Sequence, residues 1–238
     1  MADAVLGIDL GTTEVKIGLF TLDGEQIGLT RRPYPMLADV PGAAEQDPRH
    51  WWTAIVEGAR ALGPERARTA AICAVGQGPT LVAVDAAGNP VRRAITWLDR
   101  RPARDAAARG SAKWFSDGAA EAGARAGVEA GADGGGHAAT GAGEAGARGE
   151  TPGTAGFGLA PAIDWLARHD PEAAARARWL LSAWDWVGLR LSGVATTSLQ
   201  REEPEARLPA DPTKIAPAVP VGQAIGRLLP AAGKELGL

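Results

Sequence analysis

The sequence of 238 residues predicts an α/β domain in which helices flank a mixed β-sheet. Three N-terminal segments, at residues 5–10, 15–21 and 25–32, have the apolar patterns of strands. The turn signal Asp23-Gly24 joins the second strand to the third. A dinucleotide-binding start is excluded, because that fold passes from its first strand through a glycine loop directly into a helix.

The first helix is predicted from its start and stop signals. Asp47 suits the N-cap and Pro48 the first helical position, while Gly63-Pro64 ends the element. Large apolar residues recur at helical spacing between these signals, at Trp51, Trp52, Ile55, Val56, Ala59 and Leu62. Further strands are predicted at residues 70–75 and 80–84, and a short apolar run follows at 94–98.

The composition excludes several classes of protein. A net charge of −3 without a basic cluster does not suggest a nucleic-acid or anionic-membrane partner. No stretch approaches the roughly 18–20 apolar residues of a membrane span, and the N-terminus carries an acid where a secretory signal carries Lys or Arg. Cys73, the only cysteine, suits the cytoplasm and is predicted to be a small core residue of the strand at 70–75.

An Ala/Gly-rich, low-complexity segment spans about residues 103–156. Between Leu98 and Phe157 the only large apolar residues are Trp114, Phe115 and Val128. Such a stretch buries too little apolar area to offset ordering costs of about 1–2 kcal/mol per residue, so residues 116–156 are expected to be flexible. Order is expected again in helices at residues 159–169 and 171–177, in a buried segment at 179–189 that leads into a helix stopped at Gly193, and in a short last helix from Pro230.

The clearest chemical signal is the segment from Gly7 to Lys16, which reads GIDLGTTEVK. A strand delivers Asp9 to its C-terminal end, and Gly11 allows a tight turn whose backbone N–H groups, with the hydroxyls of Thr12 and Thr13, can surround phosphate oxygens. Asp9 suits Mg²⁺, held directly or through water, and Lys16 can supply positive charge. The alternative is a plain hairpin with a Gly-Thr-Thr turn and an exposed acid.

A second candidate site is Trp97-x-Asp99-x-Arg101, preceded by Gln77-Gly78-Pro79. An indole, a carboxylate and a guanidinium supply the apolar face, the acceptors and the donors that sugar recognition needs. Gln77 follows a predicted strand, where α/β sheets place ligand loops. In the alternative, Asp99 caps a helix and the arginines are solvated.

These segments resemble the FGGY family of carbohydrate kinases. Its first phosphate motif is similar to the segment around Asp9, and its "EQDP-x-x-WW" helix start resembles residues 45–52. The stretch from Gly76 to Arg101 resembles its "GQ…D-x-x-G…A-I-x-W-x-D-x-R" pattern, and residues 185–198 resemble "D-Y-x-x-x-x-L-T-G-x-x-x-T-D". Gly78 and Pro79 depart from the charged, His or Met residues that family members place there, so the resemblance does not identify the sugar.

The resemblance implies a ribonuclease H-like fold of the actin-like ATPase superfamily. It implies ATP and Mg²⁺ at Asp9, Gly11, Thr12, Thr13 and Lys16. It also implies a sugar or polyol at Gln77, Gly78, Pro79, Trp97, Asp99 and Arg101. In the family the catalytic base and the nucleotide pocket lie in a second domain. We therefore expect residues 1–238 to be the N-terminal domain of a kinase, inactive alone, whose C-terminal domain is joined in cis or supplied by another chain.

Two other functions remain open at this point. The chain could be a non-catalytic sugar-binding or regulatory module of the same fold. It could also be a cytoskeletal or chaperone-type ATPase of the same superfamily, although the Trp97-x-Asp99-x-Arg101 set and the helix start at Asp47-Pro48 argue against this.

Overall fold

The computed structural model describes residues 2–109, 159–197, 211–220 and 222–238. The segment 116–156, predicted to be flexible, lies outside the described residues. The strands are β1 Ala4–Leu10, β2 Glu14–Thr21, β3 Gln26–Pro33, β4 Glu45–Gln46, β5 Thr69–Gly76, β6 Leu81–Val84, β7 Ala94–Ile95 and β8 Trp179–Ser182. The α-helices are α1 Pro48–Ala61, α2 Arg101–Ala108, α3 Ala160–His169, α4 Pro171–Arg176, α5 Ala183–Ser192 and α6 Pro230–Leu236.

The first sheet is mixed, as predicted. Its strand order is β3-β2-β1-β5. β2 runs antiparallel to β1, with Leu10 opposite Val15, while β5 runs parallel to β1, with Leu10 opposite Gly76. Because β1 and β5 are parallel and end at the same level, the chain leaves both strands at one edge of the sheet.

The main core follows from the alternation of the first two strands. Alternate residues of β1 and β2 are at most 1% exposed, namely Ala4, Leu6, Ile8, Leu10, Val15, Ile17 and Leu19. Helix α1 covers this face, as its predicted spacing required, and Trp51 and Ile55 are fully buried against it. Gly58 permits the close approach, because a Cβ there would lie 2.8 Å from Ile17 Cγ1.

The second sheet joins two hydrophobic clusters. Its order is β4-β7-β6-β8. Alternation along β6 sends Val82 and Val84 to the main core and Leu81 and Ala83 to a second cluster, which α3 closes with Ile163 and Leu166. The predicted stop at Gly193 is confirmed, since that residue ends α5 with φ 73° in the left-handed region.

The prediction that Cys73 is buried in the core is wrong. β5 is the last strand in the order of the first sheet, and its even-numbered residues Ile72 and Ala74 pack against the core. Cys73 points to the other face and is exposed, as is Val75 at 56%. The apolar run led to the wrong assignment, because among the described residues β5 is covered on only one face. None of the helices within the described ranges is long and apolar enough to cross a membrane.

The exposure of Cys73 predicts rapid reaction with a thiol reagent under native conditions. We expect a disulfide-exchange reagent to titrate one thiol per folded chain, because the chain has a single cysteine. The Cys73→Ser variant is the blank. Labelling that requires denaturant would contradict the outward orientation of this side chain.

Candidate functional site

Two turns meet at the edge where β1 and β5 end. The turn after β1 contains Gly11, Thr12 and Thr13, and the turn after β5 begins with Gln77. The backbone N–H of Gln77 donates to the carbonyl of Leu10 at 2.7 Å, so the second turn starts against the first. The residues predicted from separate parts of the sequence to bind phosphate and sugar are thus brought to one place.

The first turn is closed by hydrogen bonds that require glycine at its start. The N–H of Gly11 donates to the carbonyls of Asp9 at 3.1 Å and Glu14 at 3.0 Å. A Cβ on residue 11 would lie 2.9 Å from the Glu14 oxygen, a distance that real side chains do not adopt. Thr12 is half-buried and Thr13 is exposed, so the rim of the turn remains accessible.

Asp9 and Lys16 face each other across β1 and β2. They are directly opposite in the antiparallel register, and Lys16 Nζ lies 3.4 Å from Asp9 Oδ2. The Asp9 side chain is 48% exposed and that of Lys16 is 41% exposed, so this is an open pair that a ligand can reach. The nearby Glu14 is paired with Arg31, whose Nη1 donates to Glu14 Oε1 at 2.7 Å. Within the described residues no group of three or more His, Cys, Asp or Glu side chains could hold a metal ion.

Tyr34 stabilises the turn after β1 through two hydrogen bonds. Its hydroxyl donates to the carbonyl of Gly11, and its backbone N–H donates to the carbonyl of Thr13 at 3.1 Å. Burial raises the pKa of this hydroxyl, and the negative charges of Asp9 and Glu14 raise it further. The hydroxyl therefore stays protonated and remains a donor.

Gln46 links both turns to the core. Its Nε2 donates to the carbonyl of Thr12 at 2.8 Å. Its Oε1 accepts from Trp51 Nε1 at 3.1 Å and from Gln77 Nε2 at 2.7 Å. Gln46 is 1% exposed and Gln77 is 7% exposed, so this amide network is shielded from solvent.

Trp97 belongs to the same site. Its indole Nε1 donates to Thr12 Oγ1 at 3.1 Å, while 44% of the residue remains exposed. One indole thus contacts the turn after β1 and still presents apolar surface at the rim. Trp97 therefore contacts the turn that follows Asp9, and the turn that begins with Gln77 starts against the end of the same strand.

Asp99 and Arg101 lie deeper than predicted. The Asp99 carboxylate is fully buried and accepts from the N–H groups of Ala44 at 3.1 Å and Arg101 at 2.9 Å. Arg101 Nη2 contacts Asp99 at 2.5 Å and Glu45 at 2.6 Å, and the guanidinium lies 4.5 Å from the ring centre of Trp165. Burial lowers the pKa of Arg101, but the hydrogen bonds that Arg101 donates to the carboxylates of Asp99 and Glu45, together with their negative charges, raise it more. The alternative interpretation differs from the structure on both points: the N-cap of α2 is Arg100, although the Asp99 carboxylate accepts from the N–H of its first residue, and Arg101 is paired rather than solvated.

Position 78 is closed by an aromatic ring. A Cβ on Gly78 would lie 2.6 Å and 2.7 Å from Cζ3 and Cη2 of Trp184, the second residue of α5. The indole thus fills the space that a side chain at residue 78 would take. No sequence pattern connects residue 78 with residue 184, so this contact was not predicted.

Tyr34 and the role of Gln46 were also missed. Gln46 stands in the helix-start motif, so its position was noted, but no sequence pattern shows that an amide there reaches Thr12. Tyr34 lies between the strand predicted at residues 25–32 and the helix start at Asp47, and the signal available was that it is the only tyrosine of the chain.

Comparison with known proteins gives consistent matches. Residues 4–108 match the family described as "FGGY family of carbohydrate kinases, N-terminal domain". A xylulose kinase from Streptomyces rubiginosus is 28% identical over 198 residues, which cover 81% of this chain and 34% of the relative. A glycerol kinase from Roseiflexus sp. (strain RS-1) is 34% identical over 106 residues, which cover 42% of this chain and 21% of the relative.

The solved structures agree on the fold. The crystal structure of xylulose kinase from Rhodospirillum rubrum superposes with a TM-score of 0.73 at 22% identity, covering 99% of this chain and 47% of that one. The predicted ribonuclease H-like fold with a mixed sheet and flanking helices is therefore confirmed. The chain spans 34% of the length of the curated xylulose kinase.

Tyr34 predicts a measurable pH effect. The folded state raises the pKa of Tyr34 above the unfolded value of about 10. The contribution of this residue to the free energy of unfolding is therefore constant below that pH. It falls at higher pH, because the unfolded chain loses the tyrosine proton while the folded chain keeps it. Because Tyr34 is the only tyrosine, tyrosinate absorbance follows it alone. We expect the absorbance titration to give a midpoint above pH 10 for Tyr34 in the folded chain and a midpoint of about pH 10 in the chain unfolded by urea. Tyr34→Phe should show a smaller decrease in stability at alkaline pH, whereas a pKa of Tyr34 near 10 in the folded chain would contradict the buried hydrogen bond.

The contact between Gly78 and Trp184 predicts a compensating pair of substitutions. Gly78→Ala should destabilise the chain by about 1–3 kcal/mol in urea unfolding, because the new methyl group overlaps the indole. In a Trp184→Leu background the same change should cost much less. Gly7→Ala is the matched control, since a Cβ there meets its nearest atom at 3.7 Å. Equal costs in the two backgrounds would show that the ring does not restrict residue 78.

Proposed function

We propose a kinase role for this chain on the premise that it carries, at residues 4–108, the N-terminal domain of the FGGY family of carbohydrate kinases. The resemblance drawn from its motifs is thereby confirmed. In this proposal residues 1–238 are the N-terminal half of an enzyme that transfers the γ-phosphoryl group of ATP to a hydroxyl of a sugar or polyol. A C-terminal domain, in cis or in a separate chain, supplies the base and the adenosine pocket. The cytoplasm is the compartment we propose.

The observation that carries this proposal is the meeting of two turns at one sheet edge. The turn at Gly11 presents backbone and hydroxyl groups beside an accessible carboxylate and ammonium. The turn at Gln77 and the indole of Trp97 contact the first turn directly. A phosphate acceptor and a phosphate-binding turn must be adjacent for transfer, because positioning supplies much of the catalysis of this reaction.

On the phosphate side, Asp9 fits the requirements of Mg²⁺. The ion commonly binds one or two protein carboxylates together with substrate phosphates and water. Asp9 is half-exposed and has a single long contact to Lys16, so it is available as that carboxylate, directly or through water. When bound, Mg²⁺ would neutralise charge on the phosphates. Gly11, Thr12, Thr13 and Lys16 would bind and orient the phosphate oxygens with N–H, hydroxyl and ammonium donors.

On the sugar side, the proposal assigns direct contact to Gln77, Gly78, Pro79 and Trp97. An aromatic surface beside polar groups suits the C–H face and hydroxyls of a sugar. Asp99 and Arg101 remain in the proposed site as the residues that form its wall. Their mutual ion pair and the contact of Arg101 with Glu45 hold the start of α2, which follows Trp97 along the chain, against β4.

The proposal predicts how activity depends on the second half and on Asp9. We expect no ATP-dependent phosphorylation of ketopentoses, ketohexoses or polyols by residues 1–238 alone, measured as coupled ADP release. Addition of a matching C-terminal half should produce turnover. Asp9→Asn should reduce this turnover by roughly 10²–10³-fold, a typical loss for an electrostatic contact in the transition state.

Asp23→Asn is the matched control, because Asp23 is exposed in the turn between β2 and β3. Robust turnover by the chain alone would contradict the assignment of the base to a second domain. An active assembly that tolerates Asp9→Asn would contradict the role of the turn. Sugar binding without turnover in any assembly would favour the non-catalytic module instead.

A further inference from the structure

The side-chain carbonyl of Gln77 is an unpaired acceptor inside the proposed sugar site. Gln77 is 7% exposed, and within the described residues its Oε1 has no hydrogen-bond donor. A buried amide oxygen without a partner is unfavourable, and most such groups in folded proteins are paired. This atom therefore needs a donor from a ligand or from water.

The orientation of Gln46 is determined by two groups that each have one hydrogen-bonding role. The indole Nε1 of Trp51 can only donate, so the atom of Gln46 that it meets at 3.1 Å must be the oxygen. The carbonyl of Thr12 can only accept, so the atom that it meets at 2.8 Å must be the nitrogen. A flipped Gln46 would lose both hydrogen bonds.

The orientation of Gln77 follows from that of Gln46. Since Gln46 presents its oxygen, Gln77 must present its NH₂ group, and the two atoms lie 2.7 Å apart. A flip of Gln77 would bring two carbonyl oxygens into contact. The series Trp51, Gln46, Gln77 therefore leaves one atom, Gln77 Oε1, as an acceptor whose identity is determined by residues behind it.

We propose that Gln77 Oε1 accepts a hydrogen bond from a hydroxyl group of the sugar, and that Gln46 is the positioning residue that keeps this oxygen directed toward it. The inference rests on the proposed function for the identity of the ligand as a sugar or polyol. It adds that the substrate donates at this point. An ether oxygen, a keto oxygen or a fluorine in the same place would face the amide oxygen without a proton between them.

Gln46 gives this contact a second consequence. The same amide that directs Gln77 also holds the carbonyl of Thr12 in the turn after β1. A sugar hydroxyl on Gln77 Oε1 polarises the amide, which strengthens donation from its NH₂ group to Gln46. The sugar contact and the phosphate-binding turn are therefore connected through one buried side chain.

The test compares sugar analogues in the absence of ATP, so that it does not depend on turnover. Saturation-transfer NMR, which detects weak binding, would measure the affinity of the chain for a sugar that binds it and for analogues in which one hydroxyl at a time is replaced by fluorine or hydrogen. We expect one position at which both replacements weaken binding about tenfold, the loss of one hydrogen bond. Fluorine should not restore affinity there, because it accepts but cannot donate.

Variants assign that effect to Gln77. Gln77→Met should remove the difference between hydroxyl and fluorine at that position, and Gln26→Met, on an exposed residue of β3, should leave it at about tenfold. Gln46→Met should reduce the difference in affinity between the hydroxyl and fluorine compounds at that position. The affinities of the other analogues, relative to that of the parent sugar, should not change. A purely structural role of Gln46 would weaken binding to every analogue equally and would overturn the positioning assignment.

The outcomes separate this inference from the proposed function. If every hydroxyl can be replaced by fluorine, or if the discrimination survives Gln77→Met, the inference is wrong even where the assembled kinase is active; water is then the donor. If no sugar in the panel binds the chain at the highest soluble concentration, the contact is also refuted. Loss of kinase activity with discrimination intact would instead contradict the proposed function alone.

Discussion

The parallel pairing of β1 with β5 is the constraint on which the rest of the site depends. Leu10 and Gly76 are register partners, and the next N–H along the chain, that of Gln77, donates to the Leu10 carbonyl. The turn that follows each strand therefore begins at the same edge and almost in contact. A shift of this register by two residues would separate Gln77 from Asp9 by about 7 Å and leave both sets of polar groups without a common ligand.

A group of charged residues encloses the site from the side of the second sheet. The Glu45 carboxylate is 12% exposed and forms ion pairs with Arg92 and Arg101. Both guanidinium groups also lie over the ring of Trp165. Separating one partner from such a buried set leaves an uncompensated charge, which costs about 3–5 kcal/mol. The segment that carries Trp97 is therefore held rigidly.

The structural role of a residue could be predicted from the sequence wherever that role depends on its neighbours along the chain. The tight turn at Gly11, the strands around it and the ends of α1 follow from patterns within a few residues. Roles set by contacts between distant segments were not readable. Cys73 is exposed because β5 has one covered face, Asp99 is buried because Arg101 and Ala44 enclose it, and the ring of Trp184 meets residue 78 across more than a hundred positions.

The two-residue strand β4 has an implication for how this protein can vary. Glu45 and Gln46 point to opposite sides, the first to the arginine pair and the second to the two turns. The length of the preceding loop can change only if this alternation is preserved. An offset of one residue would place Gln46 or Ala44 where Glu45 meets the arginines, and Asp47 or Glu45 where Gln46 meets the two turns. Backbone pairing with β7 maintains the alternation. Loop grafts beside the site should therefore end before Ala44 and leave the dipeptide in place.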